Sequence, residues 1–464
     1  MSLATRSMNN PVILEAHEPL AARMARAVAG LAPGDLPAQV ADKVKLCLTD
    51  LIGCAFESRE LPWSRQALQI AQAVPAGGAC IAAAPGRYAP GDAAFANAVM
   101  GHGLVREDMH SGSISHLGIV VLPPLIALAQ TRKVAGREFI AAVAAGYEAG
   151  AKVGRAVMDA DVARIHRPTG VTGPVAAAAA GARLLGLGVE QATSAIALGA
   201  NLTAGFNQWA HTGGSEMFFH PGYAVRNAIA ALGLAQAGAF ISPSALDGDA
   251  GMFASLKKRS AASRVQLFDG EPEILSVYHK PVPACNFAQT ASQAALRIAR
   301  DLRPAPERIA KIVVRVPRAG ALYPGCDHTG PFEHILQAKM SIQYNVAAAL
   351  IEGGVTEKNF ALLNDARLHR LIGTMTLEID DEMTRAYPEL QGGEVEVREA
   401  GGAVHRLRLD NVVNATAQQV QERFRAALEA AAGAPRAREI EDCIQTLERS
   451  DDAGRLGALL GSGG

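Results

Sequence analysis

The sequence predicts a mainly α-helical protein with an α+β segment inserted before a helical C-terminus. Three observations predict it. Apolar residues recur at helical spacing through most of the first 270 positions. Aromatic content is only 5% while Ala and Gly are abundant, a composition suited to closely packed helices rather than a β-sandwich. Alternating, strand-like runs are confined to the region between about 310 and 410. At 464 residues the chain is too long for one ordinary core. We divide it into a helical domain over 1–270, completed by 411–464, and an α+β domain over 271–410.

In order, 15–32 and 36–56 read as amphipathic helices. In the second, Val40, Val44, Cys47, Leu48, Leu51 and Ile52 share one face, and Gly53 admits a close neighbour. Further helices are expected at 63–74, 91–103, 118–132 and 136–158. A loop broken by Pro168 and Gly170 is expected over 164–173, with Thr172 capping a helix at 174–186. Helices at 189–205 and 221–240 flank a polar segment at 207–220. Beyond 278–286 the pattern changes to a helix at 288–301, a strand at 311–317 and a helix at 338–352. Residues 374–379, together with 393–398 and 403–409, read as antiparallel strands with a Gly-Gly turn. Helices at 416–432 and 436–460 are expected to pack back on the first domain.

Composition excludes several classes of function. With 44 basic and 45 acidic residues the chain has no concentration of positive charge for nucleic acid or an anionic membrane. The six cysteines are scattered without a CxxC pair, as in a reduced, cytoplasmic protein. The first ten residues carry no apolar signal region, and no apolar run reaches the ~20 residues of a membrane span. There is no GxGxxG, GxxxxGK[ST], HExxH or GxSxG motif, so dinucleotide, P-loop, zinc and nucleophile-elbow chemistry have no local support.

What remains is acid–base chemistry. His102, His110 and His116, with Glu107 and Asp108, fall within fifteen residues, surrounded by small residues and flanked by apolar helical segments. Burial and neighbouring charge shift pKa values most strongly in such places. His166, His211, His220 and His279 also sit in Gly- or Pro-broken loops. An imidazole exchanges protons near neutral pH, and of His102, His116 and His166 at least one is expected to do so in catalysis. Arg167, Arg226 and Lys280 are candidate carboxylate clamps, the arginines bidentate. Lys280 lies in a Lys-Pro-x-Pro turn that fixes its backbone. Asp108 reads either as the acid that orients a histidine or as a helix-terminal acid. Trp209 either lines a pocket or fills one, and Tyr344 is either core or site.

Taken together, the motifs resemble the MmgE/PrpD family along nearly the whole chain. The resemblance rests on Asp50-Leu-Ile-Gly-Cys, on 97–108 (Asn-Ala-Val-Met-Gly-His-Gly-Leu-Val-Arg-Glu-Asp), and on His116 with Val121-Leu-Pro-Pro. It continues through Gly146-Tyr-Glu, His166-Arg-Pro-Thr-Gly-Val-Thr-Gly, Arg183, Gly214-Ser-x-x-x-x-His-Pro-Gly, Lys280-Pro-Val-Pro-Ala-Cys and 338–344 (Ala-Lys-Met-Ser-Ile-Gln-Tyr). It implies a large helical domain built from both chain ends, an inserted α+β lid domain, a cleft between them, a homodimer, and no metal or organic cofactor. By the same resemblance the catalytic residues are His102, Asp108, His116, His166 and Lys280. Thr169, in the Pro-Thr-Gly loop, joins His110, Arg167, His220, Arg226 and Tyr344 in binding substrate.

The sequence departs from that pattern at two places. Decarboxylase- and dehydratase-like members carry an acid three residues after the first histidine, followed by a threonine; here Val105 and Met109 stand there. A family lysine is replaced by Met217, beside Glu216. The expected function is a cofactor-independent lyase, dehydratase-like, that abstracts a proton next to a carboxylate of a small di- or tricarboxylate. An epimerase of an iminodisuccinate-like substrate would begin with the same step. A catalytically inactive homologue, kept as a binding or structural dimer, is the alternative of another class.

Overall fold

The computed structural model describes residues 18–73, 77–302 and 305–462. The first residues of the helix expected from 15, and position 74 of the third, lie outside this set. The described chain is mostly helical, with one four-stranded sheet.

Helices begin where proline sits at the first position, where its missing N–H costs nothing: Pro62–Gln72, Pro90–His102 and Pro168–Leu185. The third starts six residues before the expected position. Thr172 is therefore inside the helix, its hydroxyl donating to the Pro168 carbonyl at 3.1 Å, and caps nothing. The helix ends at Gly186, whose φ of +64° is the left-handed conformation glycine adopts freely.

The core lies where helices Gly118–Ala129, Gly136–Val157 and Pro168–Leu185 pack against one another. A Cβ on Gly146 would approach Ala180 Cβ to 2.7 Å, and one on Gly150 would approach Ala176 Cβ to 2.8 Å. Only small residues permit helices this close, which explains the Ala- and Gly-rich composition. Each fully buried Val, Leu or Ile in this layer contributes about 1.5–3 kcal/mol.

The C-terminal helices Ala417–Ala432, Ala434–Gln445 and Gly454–Leu460 pack against the first part of the chain. Ala453 N–H donates to Val134 O at 2.7 Å, and Ala83 N–H to Leu460 O at 2.9 Å. Arg423 pairs with Asp50 of helix Ala38–Ser58. The single helix expected over 436–460 is broken by a short 3-10 turn at Leu447–Arg449 and a bend after it.

The sheet comprises β1 (Ile309–Val316), β2 (Met375–Ile379), β3 (Gly393–Glu399) and β4 (Val404–Leu409), in the order β2-β1-β3-β4. β3 and β4 form the expected antiparallel hairpin, with Val395 opposite Leu407. β1 runs antiparallel to β3, with Val314 opposite Val395. β2 departs from expectation: it lies parallel to β1, with Ile312 opposite Met375. A parallel pair needs a crossover connection, and here helices Ile335–Met340, Ile342–Glu352 and Ala366–Gly373 provide it. Helix Gln289–Arg297 packs on β3 and β4.

Candidate active site

The loop between helices Pro90–His102 and Gly118–Ala129 is where the chemistry gathers. Two of its residues hold backbone conformations that side chains rarely adopt, Val105 at φ +57° and Ile114 at φ +51°. For β-branched residues this is a strained choice, stable only when the surroundings enforce it. The surroundings do. Met109 and Tyr278 exchange backbone hydrogen bonds at 2.8 and 2.9 Å, and His110 and Ser115 do so at 3.0 and 3.2 Å. The 278–280 segment is fixed in turn by both ends of the chain. Asp50 accepts from His279 Nδ1 at 2.8 Å, and Arg423 donates to Lys280 O at 2.8 Å.

Glu107 is the centre of the cluster. Its Oε1 accepts from His102 Nδ1 in a very short contact, and it lies 2.9 Å from His116 Nδ1. His116 Nδ1 also lies 3.1 Å from the Asp108 carbonyl. Two acceptors around one nitrogen place the proton on Nδ1, which leaves Nε2 of His116 as the lone-pair nitrogen. The His102 tautomer is fixed as well. Its Nε2 lies 3.2 Å from Arg167 Nη2, and a guanidinium only donates, so Nε2 accepts and Nδ1 carries the proton toward Glu107. Met217 Sδ sits 2.9 Å from the same Nε2 and 3.5 Å from Arg167 Nη2.

Burial sets the charges. It pushes the His116 imidazole down to about 3, against the opposing pull of Glu107, and lowers His102 in the same way. Burial alone would raise the Glu107 carboxyl, but the two imidazoles hold it well below the usual range. At neutral pH the cluster is one carboxylate accepting from two neutral imidazoles. Burial lowers Lys280 to about 8, with Glu107 opposing, while its ammonium donates to Ala284 O at 2.9 Å.

A small cavity adjoins this cluster. Val105, Met109, Ile114, His116, Arg167 and Met217 line one side; Cys285, Asn286, Phe287, Tyr323 and Met340 come from the second half of the chain. Arg167 Nη1 donates to the Tyr323 hydroxyl at 3.1 Å, tying the two halves together across the opening. His116 therefore offers a lone pair, and Arg167 a cation, to the same small space.

The remaining expected site residues divide between support and other places. Thr169 accepts the His116 backbone N–H at 3.1 Å and so positions it. Asp108 accepts from Gly118 N–H at 3.1 Å and from the Tyr147 hydroxyl at 2.6 Å, holding the loop against its helices, and burial raises it to about 6. His220 lies beside Gly205 and Arg167 at the edge of the cluster, its Nδ1 without a partner. Burial, then Arg167 and His102, lower it to about 4.

Of the expected residues only His116 and Arg167 line the cavity, and four lie away from both the cavity and the cluster around Glu107. His166 lines a separate surface cleft with Arg164, Lys257 and Lys258. The chain is extended at 166 and 167, so consecutive side chains point to opposite sides, and Arg167 rather than His166 faces the cluster. His110 caps the 3-10 turn Ser111–Ser113 and pairs with Glu273 at 3.0 Å, a fixed structural role. Arg226 pairs with Asp92 at 2.9 Å on the outside of helix Glu216–Gln236. Tyr344 is buried and donates to Asn359 O at 2.7 Å, among Phe332 and Phe360.

Sequence reasoning did not single out Glu107 as the hub, nor Cys285 or Tyr323 as cavity residues. The signal for Glu107 was its place between two histidines; for Tyr323, in a stretch without a motif, there was none. Among the described residues, His102, Glu107 and His116 come nearest to a metal-ligand set, their donor atoms within 4.8 Å of one another. The donors are turned on each other, however, and the free edge of His102 faces the Arg167 guanidinium.

The chain is similar to known proteins. A protein from Aspergillus oryzae described as "Cis-aconitate decarboxylase-like protein oryM" is 32% identical over 211 residues, 44% of this chain and 44% of that protein. The cis-aconitate decarboxylase of Aspergillus terreus is 29% identical over 206 residues, 43% of this chain and 42% of that one. The chain thus matches less than half the length of each Aspergillus protein. The human cis-aconitate decarboxylase is 25% identical over 466 residues, 94% of this chain and 93% of that protein. Family models match in two successive parts, the MmgE/PrpD N-terminal domain over residues 22–264 and the MmgE/PrpD C-terminal domain over 282–449. The chain belongs to the MmgE/PrpD family.

Proposed function

We propose that the protein is a lyase acting on a small carboxylate, most plainly a dicarboxylate, by abstracting a proton from the carbon next to a carboxyl group. One observation carries this reading: His116, with its proton fixed on Nδ1 by Glu107 and the Asp108 carbonyl, shares a cavity with Arg167. Arg167 binds the substrate carboxylate as a fork. The C–H bond breaks toward His116 Nε2, and its electron pair is delocalised into the carboxylate that Arg167 neutralises. The imidazolium that forms is stabilised by Glu107, and Lys280 adds positive field from behind. A hydroxyl on the adjacent carbon then leaves as water, taking its proton from that imidazolium, and a C=C bond forms.

The decarboxylase relatives are named for cis-aconitate, which is a tricarboxylate. Of the residues lining the cavity here, Arg167 alone is cationic, and Val105 and Met217 offer no charge. That favours a substrate with fewer carboxylates. Epimerisation begins with the same proton abstraction; Cys285, on the wall contributed by the second half, is the group that would return the proton from elsewhere. We read the cavity as the cleft between a helical lobe and an α+β lobe of a dimeric enzyme that runs on side chains alone.

The test is NMR in D₂O of the protein with 2-methylcitrate, cis-aconitate, citrate, iminodisuccinate and simpler hydroxydicarboxylates, beside His116→Ala and Glu107→Gln. The expected result is product formation that both variants lose. Deuteration without loss of a leaving group selects the epimerase. Turnover that survives in both variants overturns the histidine assignment, and silence across the panel favours an inactive homologue.

A further inference from the structure

Two of the six cysteines meet at the cavity, Cys285 in its wall and Cys326 buried behind it. Cys285 Sγ lies 3.5 Å from Cys326 Sγ, both thiols are buried, and Cys285 is a lining residue. They come from segments 41 residues apart. The pair is asymmetric. Burial would raise the Cys285 thiol, but the Cys326 thiol, the Phe287 backbone N–H and the charges of Lys280 and Arg167 bring it down to about 7. Burial and Cys285 itself push Cys326 well above the ordinary thiol value. By contrast, burial pushes up the thiols of Cys47 and Cys54 in the helical core. A low-pKa thiolate reachable from a cavity, with a second thiol in contact, is the arrangement of an attacking and a resolving cysteine.

We propose that Cys285 and Cys326 form a peroxide-sensitive dithiol, whose oxidation to a disulfide reshapes the cavity wall. The Cys285 thiolate attacks one peroxide oxygen; the S–O bond forms, the O–O bond breaks, and the hydroxide that leaves takes up a proton to become water. Sulfur has lost two electrons and peroxide has gained them. The Cys326 sulfur then attacks the sulfenic acid on Cys285. The S–S bond forms, the S–O bond breaks, and hydroxide departs with the Cys326 proton as a second water. A dithiol reductant returns two electrons and two protons.

Closing the gap from 3.5 Å to the S–S length of about 2.0 Å draws the segments of Cys285 and Cys326 toward each other. Cys326 N–H donates to Tyr323 O at 3.0 Å, and the Tyr323 hydroxyl holds Arg167 at 3.1 Å. The oxidised wall therefore displaces the partner of the cavity's cation. This inference rests on the thiol geometry and stands whichever substrate the cavity takes.

The test is non-reducing peptide mass spectrometry of the full-length protein after hydrogen peroxide, with denatured thiols counted before and after dithiothreitol. The expected result is the loss of two of the six thiols, a linked pair of peptides containing Cys285 and Cys326, and full recovery with dithiothreitol. Cys443→Ser should leave the linkage unchanged, Cys326→Ser should accumulate oxygen adducts on Cys285, and Cys285→Ser should abolish both products. The wild-type measurement stands even where a variant fails to fold. Peroxide that leaves both residues as thiols, or links another pair first, overturns the proposal.

Discussion

Glu107 Oε1 lies 2.9 Å from Nδ1 of His116. The carboxylate is buried and held ionised by two imidazoles, and His116 lines the cavity. A carboxylate that fixes a tautomer and later balances an imidazolium is worth far more than a surface ion pair, because no water competes for it.

Glu107→Gln tests this directly. The amide can turn its NH₂ toward His116 Nδ1 and move the ring proton to Nε2, where no proton can be accepted. We expect kcat to fall by about 10²–10⁴-fold with the fold intact. Steady-state kinetics on the substrate found in the D₂O screen, with ¹⁵N NMR of the histidine tautomers, checks it. Wild-type kcat in a variant whose His116 tautomer has switched would remove His116 from the mechanism.

Arg167→Lys keeps the charge and loses the fork. A lysine presents one point charge and cannot span His102 Nε2, the Tyr323 hydroxyl and a substrate carboxylate together. We expect kcat/KM to fall by about 10²-fold or more, mostly through KM, since losing one partner of a buried charged hydrogen bond costs roughly 2–5 kcal/mol. Calorimetric titration with a dicarboxylate inhibitor reads the same loss as weaker binding. An unchanged affinity would place the carboxylate elsewhere.

Much of this was legible in the sequence, and the rest failed for identifiable reasons. Helical spacing located helix Ala38–Ser58 within two residues at either end, and alternation with a Gly-Gly turn located the β3–β4 hairpin. His102 and His116 stood out because their stretch was polar between apolar helices. Direction was not legible. His166 and Arg167 are neighbours, and only the extended backbone ahead of Pro168 decides which of them points inward. His110 matches its neighbours in sequence, yet Glu273, 163 residues away, claims it. The parallel pairing of β2 with β1 depends on the helices between them, which a strand pattern does not encode. Tyr323 reaches the cavity, and Cys326 reaches Cys285, through tertiary packing alone.

The docking of the C-terminal helices on the first part of the chain can be tested at one residue. A Cβ on Gly136 would fall on the Leu447 carbonyl oxygen, and its backbone N–H donates to Ser450 O at 2.8 Å. Both partners are backbone and cannot swing away. We expect Gly136→Ala to destabilise the protein by about 1–3 kcal/mol despite the better helix propensity of alanine. Gly188→Ala, with open space around the new methyl, is the control and should be close to neutral. Equal urea midpoints for the two variants would mean that the contact at Leu447 yields easily.

Asp108 gives a pH signature that separates holding the loop from proton transfer. Burial raises its carboxyl from about 3.9 in the unfolded chain to about 6 in the folded one. A raised acid stabilises the fold fully below its unfolded value, and that contribution is lost as pH rises through about 6. Asn at this position keeps an oxygen for the Gly118 N–H and can donate its amide to the Tyr147 oxygen, but it never ionises. We therefore expect the stability difference between Asp108→Asn and wild type to move in favour of the variant between pH 4 and pH 7.5. The change should be on the order of 1–3 kcal/mol, most of it between pH 4 and 6. Urea unfolding at pH 4, 5, 6 and 7.5 reads the difference. Parallel curves would mean that Asp108 ionises at its ordinary pKa. A retained kcat in the variant would assign the residue to holding the loop, and a loss of about 10²-fold or more without a stability change would return it to the catalytic step.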